Sequence, residues 1–299
     1  MRAFLPAIVL LLQSVISVHT ELVVAPAVVT DARGHHVGGL TRESFRVLED
    51  GQPRPIAAFH HGDSTVTLGL IVDRSQSMRP KTEALLAAVT SLLRISRTDD
   101  ELFAVDFNDD VSLALGAGRW FTHDPDELAA ALAAVRAEGR TALYDAVAAG
   151  LEHLERGRGE RRALVLVSDG GDNGSRRKYA DVLMLARRSD AVIYAIGLMG
   201  SLPTEEDEGD ARLLQRLCRD TGGVAYFPKT PAEIAEVSAA VASDLREQYT
   251  LGFVPAERTD GRAFRKIEVT ASAPGVGRLR VRTRSGYIAA GDAVEKGQP

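Results

Sequence analysis

A single cysteine in 299 residues leaves Cys218 without an intrachain partner, so no internal disulfide can staple this chain. Its place in the helical pattern Leu213–Arg219 reads as a small core residue. No cysteine lies near residue 20 either, so a lipid-anchored N-terminus is not expected. Charge of one sign is also missing. Thirty-six basic against 41 acidic residues leave a net charge of -5, too small and of the wrong sign for bulk capture of nucleic acid. Lysine is scarce: Lys81, Lys178, Lys229, Lys266 and Lys296 are the only five, a bias that reads as the codon composition of a GC-rich bacterial genome. What remains is ordinary for a globular protein, 45% hydrophobic and 26% charged, with room for one large domain or a medium domain with a smaller companion.

Only one long hydrophobic run is present, at the N-terminus. Arg2 supplies a positive start, and Phe4 to Val18 is apolar apart from Pro6, Gln13, Ser14 and Ser17. Ser17 and Thr20 offer small residues for cleavage, although no Ala-x-Ala site is present. The run falls short of the about 20 residues of a full membrane span. The expectation is therefore a signal peptide over 1–20, cleaved rather than kept as an anchor. The mature protein is then exported, periplasmic or secreted, with no stable membrane span.

Residues 21–64 read as a short β segment, with strands over Glu21–Thr30, Ser44–Glu49 and Pro55–Phe59 and a turn at Glu49-Asp-Gly-Gln-Pro53. From 65 to 248 the texture changes to strands alternating with helices. Ala163–Val167 and Val192–Ile196 are continuous apolar runs, as in strands buried on both faces. This alternation predicts an α/β doubly wound, mostly parallel, Rossmann-like sheet of about six strands. Residues 249–290 return to β, and 291–299 form a polar tail expected to be disordered. The two flanking β segments are expected to pack together as a small second domain into which the α/β domain is inserted.

The first strand of the α/β region ends in Asp73-Arg-Ser75-Gln-Ser77. Alternate residues of an extended chain share a side, so Asp73, Ser75 and Ser77 can face one point while Arg74 and Gln76 face away. One carboxylate and two hydroxyls form an oxygen set suited to Mg²⁺. A second polar end follows Ala163–Val167, where Asp169 precedes two glycines, and a third is Thr141 in the loop Gly139-Arg-Thr141. Taken singly, Ser75, Ser77 and Thr141 are equally readable as helix caps and Asp169 as a turn former.

Asp73, Ser75, Ser77, Thr141 and Asp169, in this order and on these elements, resemble the metal-ion-dependent adhesion site of von Willebrand factor type A domains. The resemblance covers Val66 to about Gln248. Softer matches to secreted bacterial proteins carrying such a domain lie in Phe45–Gly51 and Tyr249–Phe253. It implies that Ser75 and Ser77 coordinate Mg²⁺ (or Mn²⁺ or Ca²⁺) directly, Thr141 directly or through water, and Asp73 and Asp169 through water. The open position would accept an Asp or Glu carboxylate from a partner protein. Arg140 departs from the glycine common in the family and would place a cation beside the site.

The function expected is metal-dependent protein binding without catalysis. The alternatives are a metal-assisted hydrolase and a structural component whose ion only stabilises the fold. No His or Lys is expected in the three site loops to act as general acid or base. Several other features have bland explanations. His35-His36 and His60-His61 read as solvated turn residues, and Asp106–Asp110 as a turn between strands. Glu205–Glu208 reads as an acidic loop before a helix, and Arg156, Arg158, Arg161 and Arg162 as cations at a helix end. The arginines of Arg278–Arg284 read as the watery face of an edge strand.

Overall fold

The computed structural model describes residues 22–116, 118–133, 136–200, 204–257 and 263–289. The expected signal and tail lie outside the described residues. The chain opens with β1 (Val23–Thr30), β2 (Phe45–Glu49), β3 (Gln52–Arg54) and β4 (Ile56–His60). The α/β region follows as β5 (Val66–Asp73), α1 (Thr82–Leu93), β6 (Glu101–Phe107), β7 (Val111–Leu113), α2 (Pro125–Ala133) and α3 (Leu143–Leu154). It continues with β8 (Arg161–Ser168), α4 (Tyr179–Arg188), β9 (Val192–Gly197), α5 (Glu205–Thr221), β10 (Ala225–Tyr226) and α6 (Pro231–Glu247). The chain returns to β structure in β11 (Tyr249–Phe253), β12 (Phe264–Ala271), β13 (Arg280–Thr283) and β14 (Gly286–Ile288).

The central sheet has six strands in the order β10-β9-β8-β5-β6-β7. All its pairings are parallel except β6 with β7. Every residue of β5 and β9 is buried, as in strands covered on both faces. Leu68, Leu70 and Val72 pack with Leu85 and Leu92 of α1, Leu132 of α2 and Val241 of α6 on one face. Ile71, Leu164 and Leu166 pack with Val147 of α3, Val182 of α4 and Leu214 of α5 on the other. Chain order runs outward from β5 in one direction and from β8 in the other. The strand order therefore reverses between β5 and β8, where a crevice opens at the carboxyl ends.

The flanking strands form two antiparallel sheets, β13-β1-β11-β4 and β14-β12-β2-β3. N-terminal and C-terminal strands alternate in the first sheet and meet at the β12–β2 pair in the second, and Val29, Phe45, Val47, Tyr249, Leu251 and Ile267 share one apolar core. The β2–β3 hairpin turns on Asp50 and Gly51, both with positive φ, the signature of a tight two-residue turn matched to strand twist.

The two parts of the molecule are tied by arginines that sequence patterning placed at the surface. Arg161 is 2% exposed at the start of β8. Its guanidinium donates to the carbonyls of Gly62 (2.9 Å), Leu245 (2.6 Å), Arg246 (2.9 Å) and Gln248 (2.7 Å). It thus holds both chain crossings between the α/β and β parts, and a helix-end role does not describe it. In the Arg278–Arg284 stretch, Arg278 and Arg280 are exposed as expected, but Arg284 is buried and donates to the carbonyls of Gly286 and Arg187. Arg282 pairs with Asp244 of α6, which also accepts His36 at 2.8 Å. His36 and His61 are thus engaged rather than solvated, His61 stacking on Tyr249 at 3.9 Å. Helix α5 begins at Glu205 rather than after an acidic loop. Thr204 accepts from the Asp207 backbone N–H while Asp207 accepts in return, so the acidic residues belong to a capped first turn.

Two measurements test this junction and the β core. Arg161→Ala strands four carbonyls and should cost on the order of 3 kcal/mol in denaturant unfolding. It should also open new protease cuts near residues 61–65 and 246–248. Arg161→Lys should restore only part, since an ammonium lacks the fork; a variant as stable as the parent would refute the clamp. In the β core, Glu49 is 2% exposed and accepts from Arg54 Nε (2.7 Å), the Ala256 N–H (3.0 Å) and the Tyr287 hydroxyl. Burial alone would raise its carboxyl, but these donors and Arg265 outweigh it and hold it below its ordinary 4.5. A depressed carboxylate stabilises the fold above its unfolded value and loses that contribution as pH falls through the folded one. Glu49→Gln should therefore cost about 3 kcal/mol at neutral pH and flatten the decline in melting temperature below pH 4.5; parallel pH profiles would refute this.

Candidate metal centre

β5 and β8 are adjacent and end together, so Asp73 and Ser168-Asp169 stand side by side at the crevice. Asp73 is fully buried and tightly held. Its Oδ1 accepts the Ser75 backbone N–H at 2.8 Å, and its Oδ2 accepts the Ser168 hydroxyl at 2.6 Å. Burial pushes its carboxyl up to about 6 against the pull of these bonds, and the neighbouring Asp169 charge adds to the rise. Ser75 and Ser77 hydroxyl oxygens lie 3.1 Å apart. Ser75 precedes the 3₁₀ turn Gln76–Lys81, yet its side chain makes no capping bond there. Arg74 points the other way, into the protein toward the Leu132 carbonyl, while Gln76 is exposed. Ser75 and Ser77 thus meet on one side and Arg74 lies on the other, as expected.

Backbone bonds stitch the three loops into one unit. The Gln76 N–H donates to the Gly139 carbonyl at 3.0 Å, and the Glu138 N–H to the Arg74 carbonyl at 2.8 Å. Thr141 is joined to the loop after β8 in both directions. Its N–H donates to Asn173 Oδ1 at 2.8 Å, and its carbonyl accepts from Asn173 at 3.0 Å and Gly174 at 2.9 Å. Thr141 is 5% exposed and does not occupy the cap of α3, a position taken by Ala142. Burial falls from Asp73 outward to the exposed Ser77, so the set faces solvent at one end. The cap explanation thus fails for Ser75 and Thr141.

The donor chemistry fits a hard divalent ion. Among the described residues no group of three or more His, Cys, Asp or Glu side chains comes together. Hydroxyls beside one buried carboxylate are what the crevice offers, and oxygen donors of this kind suit Mg²⁺ rather than a transition metal. Arg140 does not point its charge at the site: its Nε donates to Asp109 Oδ1 at 2.8 Å on the β6–β7 turn.

Two residues escaped the sequence reading. Ser168 orients Asp73 and also accepts the Gly170 N–H at 3.0 Å. The signal was available, since it is the polar last residue of an apolar strand. Lys81 Nζ donates to Asp169 Oδ2 at 2.9 Å, so a lysine does stand at the site. The expectation of none fails because the 3₁₀ turn brings residue 81 back over the crevice. Asp169 is therefore ion-paired rather than a simple turn former. Gly170, with φ +97°, lets the chain leave β8 against α5; an added Cβ would meet Asp210 at 3.0 Å and Leu214 at 3.1 Å.

The von Willebrand factor type A domain family matches residues 68–171, a span that holds all five oxygen donors. Among solved structures, a von Willebrand factor type A protein from Catenulispora acidiphila superposes with a TM-score of 0.53 at 12% identity, over 82% of this chain and 69% of that one. The α/β part thus has the von Willebrand type A fold. BatB from Bacteroides thetaiotaomicron (TM-score 0.46, 14% identity, 60% of this chain and 98% of that chain) is also similar. So is the PilB minor pilin from Streptococcus sanguinis (TM-score 0.47, 12% identity, 62% and 63%). No curated protein matches the chain.

Gly170→Ala should destabilise the protein by about 1–3 kcal/mol, read as a lower melting temperature, because left-handed strain and contact with α5 add. An unchanged melting temperature would show that the turn after β8 is not fixed as described.

Proposed function

We propose that this chain is an exported, metal-dependent protein-binding module. The observation that carries the reading is the cluster at the β5/β8 crevice. There, three loops bonded to one another present the Ser75 and Ser77 hydroxyls beside the buried Asp73, and the Ser75 hydroxyl makes no capping bond. Ser75 and Ser77 would hold Mg²⁺ directly, with Mn²⁺ or Ca²⁺ as substitutes. Thr141 would hold it directly or through water, and Asp73 and Asp169 through water. The bound ion would supply an electrophilic centre able to accept an Asp or Glu carboxylate from a partner protein. Ser168 and the Ser75 N–H hold Asp73 in position. No His lies in the three loops, so proton transfer has no imidazole to carry it. The crevice is thus better suited to binding than to hydrolysis.

On this reading residues 1–20 are the export signal, 65–248 the binding domain, and 21–64 with 249–290 its β support, placing the protein in the periplasm or outside the cell. Among the described residues no helix is long and apolar enough to cross a membrane.

Calorimetry should find one Mg²⁺ or Mn²⁺ site per chain, lost in Asp73→Ala. Capture of partners from the native envelope fraction should drop by about tenfold or more with EDTA and with Asp73→Ala, as for loss of a buried charge-centred contact. Metal uptake with partner capture indifferent to EDTA would favour a purely structural ion. No uptake by the folded protein would end the metal reading.

A further inference from the structure

The metal reading leaves one group unexplained: an ammonium already sits on a carboxylate expected to serve the ion. Lys81 Nζ and Asp169 Oδ2 are 2.9 Å apart, and the two side chains are only 19% and 12% exposed. A dication drawn to Asp169 through water would meet this charge at close range. Like charges in a half-buried crevice repel too strongly for both to stay. The structure also offers the ammonium somewhere else to go. Lys81 borders a cavity of about 690 Å³ whose walls include Leu198, Met199, Asp207, Phe227 and Ile234. Asp207 stands in the first turn of α5. The Thr204 backbone N–H and hydroxyl hold its carboxyl below the ordinary range, and the Lys81 charge already contributes. Lys81 thus lies between two carboxylates, one at the crevice and one on the cavity wall. A flexible four-carbon stem suits it to move between them.

We propose that Lys81 is the built-in counter-ion of Asp169 in the metal-free protein, and that a divalent ion enters only as Lys81 swings from Asp169 toward Asp207. The inference rests on the metal reading above. It assigns Lys81 two effects. The ammonium neutralises a crevice in which Asp73 and Asp169 would otherwise repel each other, and it lowers metal affinity by competing for the same carboxylate. Leaving Asp169 also brings a positive charge to the mouth of the cavity, whose walls carry Asp207 and Glu208 among apolar side chains.

The test compares full-length parent, Lys81→Gln and Lys81→Arg at one pH and ionic strength. Mn²⁺ uptake is followed by electron paramagnetic resonance, and melting temperature is measured in EDTA. Lys81→Gln should bind Mn²⁺ about tenfold more tightly and melt lower than the parent in EDTA. Lys81→Arg, which keeps the charge, should stay within about twofold of the parent. If the parent binds Mn²⁺ and Lys81→Gln binds no better, the competition is refuted while the metal site stands. An unchanged melting temperature in EDTA refutes the counter-ion role. If no form takes up Mn²⁺, this inference falls together with the metal reading.

Discussion

The guanidinium of Arg161 is the contact on which the arrangement of the molecule turns. The chain leaves the β part once, before β5, and returns once, after α6. Arg161 binds carbonyls on both crossings, Gly62 on the way out and Leu245, Arg246 and Gln248 on the way back. Carbonyl oxygens in a buried junction would otherwise go without partners, a cost that compounds with each one. A second buried pair backs it up: Arg246 pairs with Asp100, whose Oδ1 also accepts the Val66 N–H at 3.0 Å. Arg161 begins β8, and Ser168-Asp169 ends it. One buried strand, about 25 Å long at the usual rise, therefore connects the clamp to the candidate metal centre.

The crevice follows from topology, while its chemistry follows from side chains. Reversal of strand order between β5 and β8 opens a gap at the carboxyl ends whatever residues stand there. What makes it a candidate ion site is that the buried carboxylate, Asp73, is fixed by neutral donors, and that the Ser75 hydroxyl is not used to cap the 3₁₀ turn it precedes. A carboxylate raised by burial is one whose charge the protein has not compensated internally. Asp169, a few ångströms of backbone away across the strand pair, is compensated by Lys81. The two acids of the site are thus in different electrostatic states, although sequence gives them equivalent roles.

Patterns that depend on neighbours in sequence were legible. Continuous apolar runs marked β5, β8 and β9, alternation of elements gave a doubly wound sheet, and Asp-Gly located the β2–β3 turn. The two flanking β segments do pair with each other, strand against strand. Spacing also brought Asp73, Ser75 and Ser77 to one side. Contacts set by tertiary approach were not legible. Arg161, Arg282 and Arg284 look like surface charges because nothing local shows that carbonyls and Asp244 of distant elements will meet them. Lys81 escaped for the same reason: its partner is 88 residues away. The start of helix α5 was not legible because its first turn is acidic. That composition suits a loop as well as a helix start, until Thr204 and Asp207 are seen to cap each other.

Two elements link the candidate site to the domain junction. β8 joins them through the sheet, and α6 joins them along its outside. At its start α6 contributes Ile234 to the cavity beside Lys81, and at its end it gives the Leu245 and Arg246 carbonyls to Arg161. A helix of 17 residues spans about 25 Å, the same distance as β8. Two rigid members of matched length, fixed at one end by a clamp, leave the loops at the other end little freedom to drift apart. The candidate donors at the ends of β5 and β8 are therefore connected, through β8 and α6, to the Arg161 contacts at the junction with the β segments.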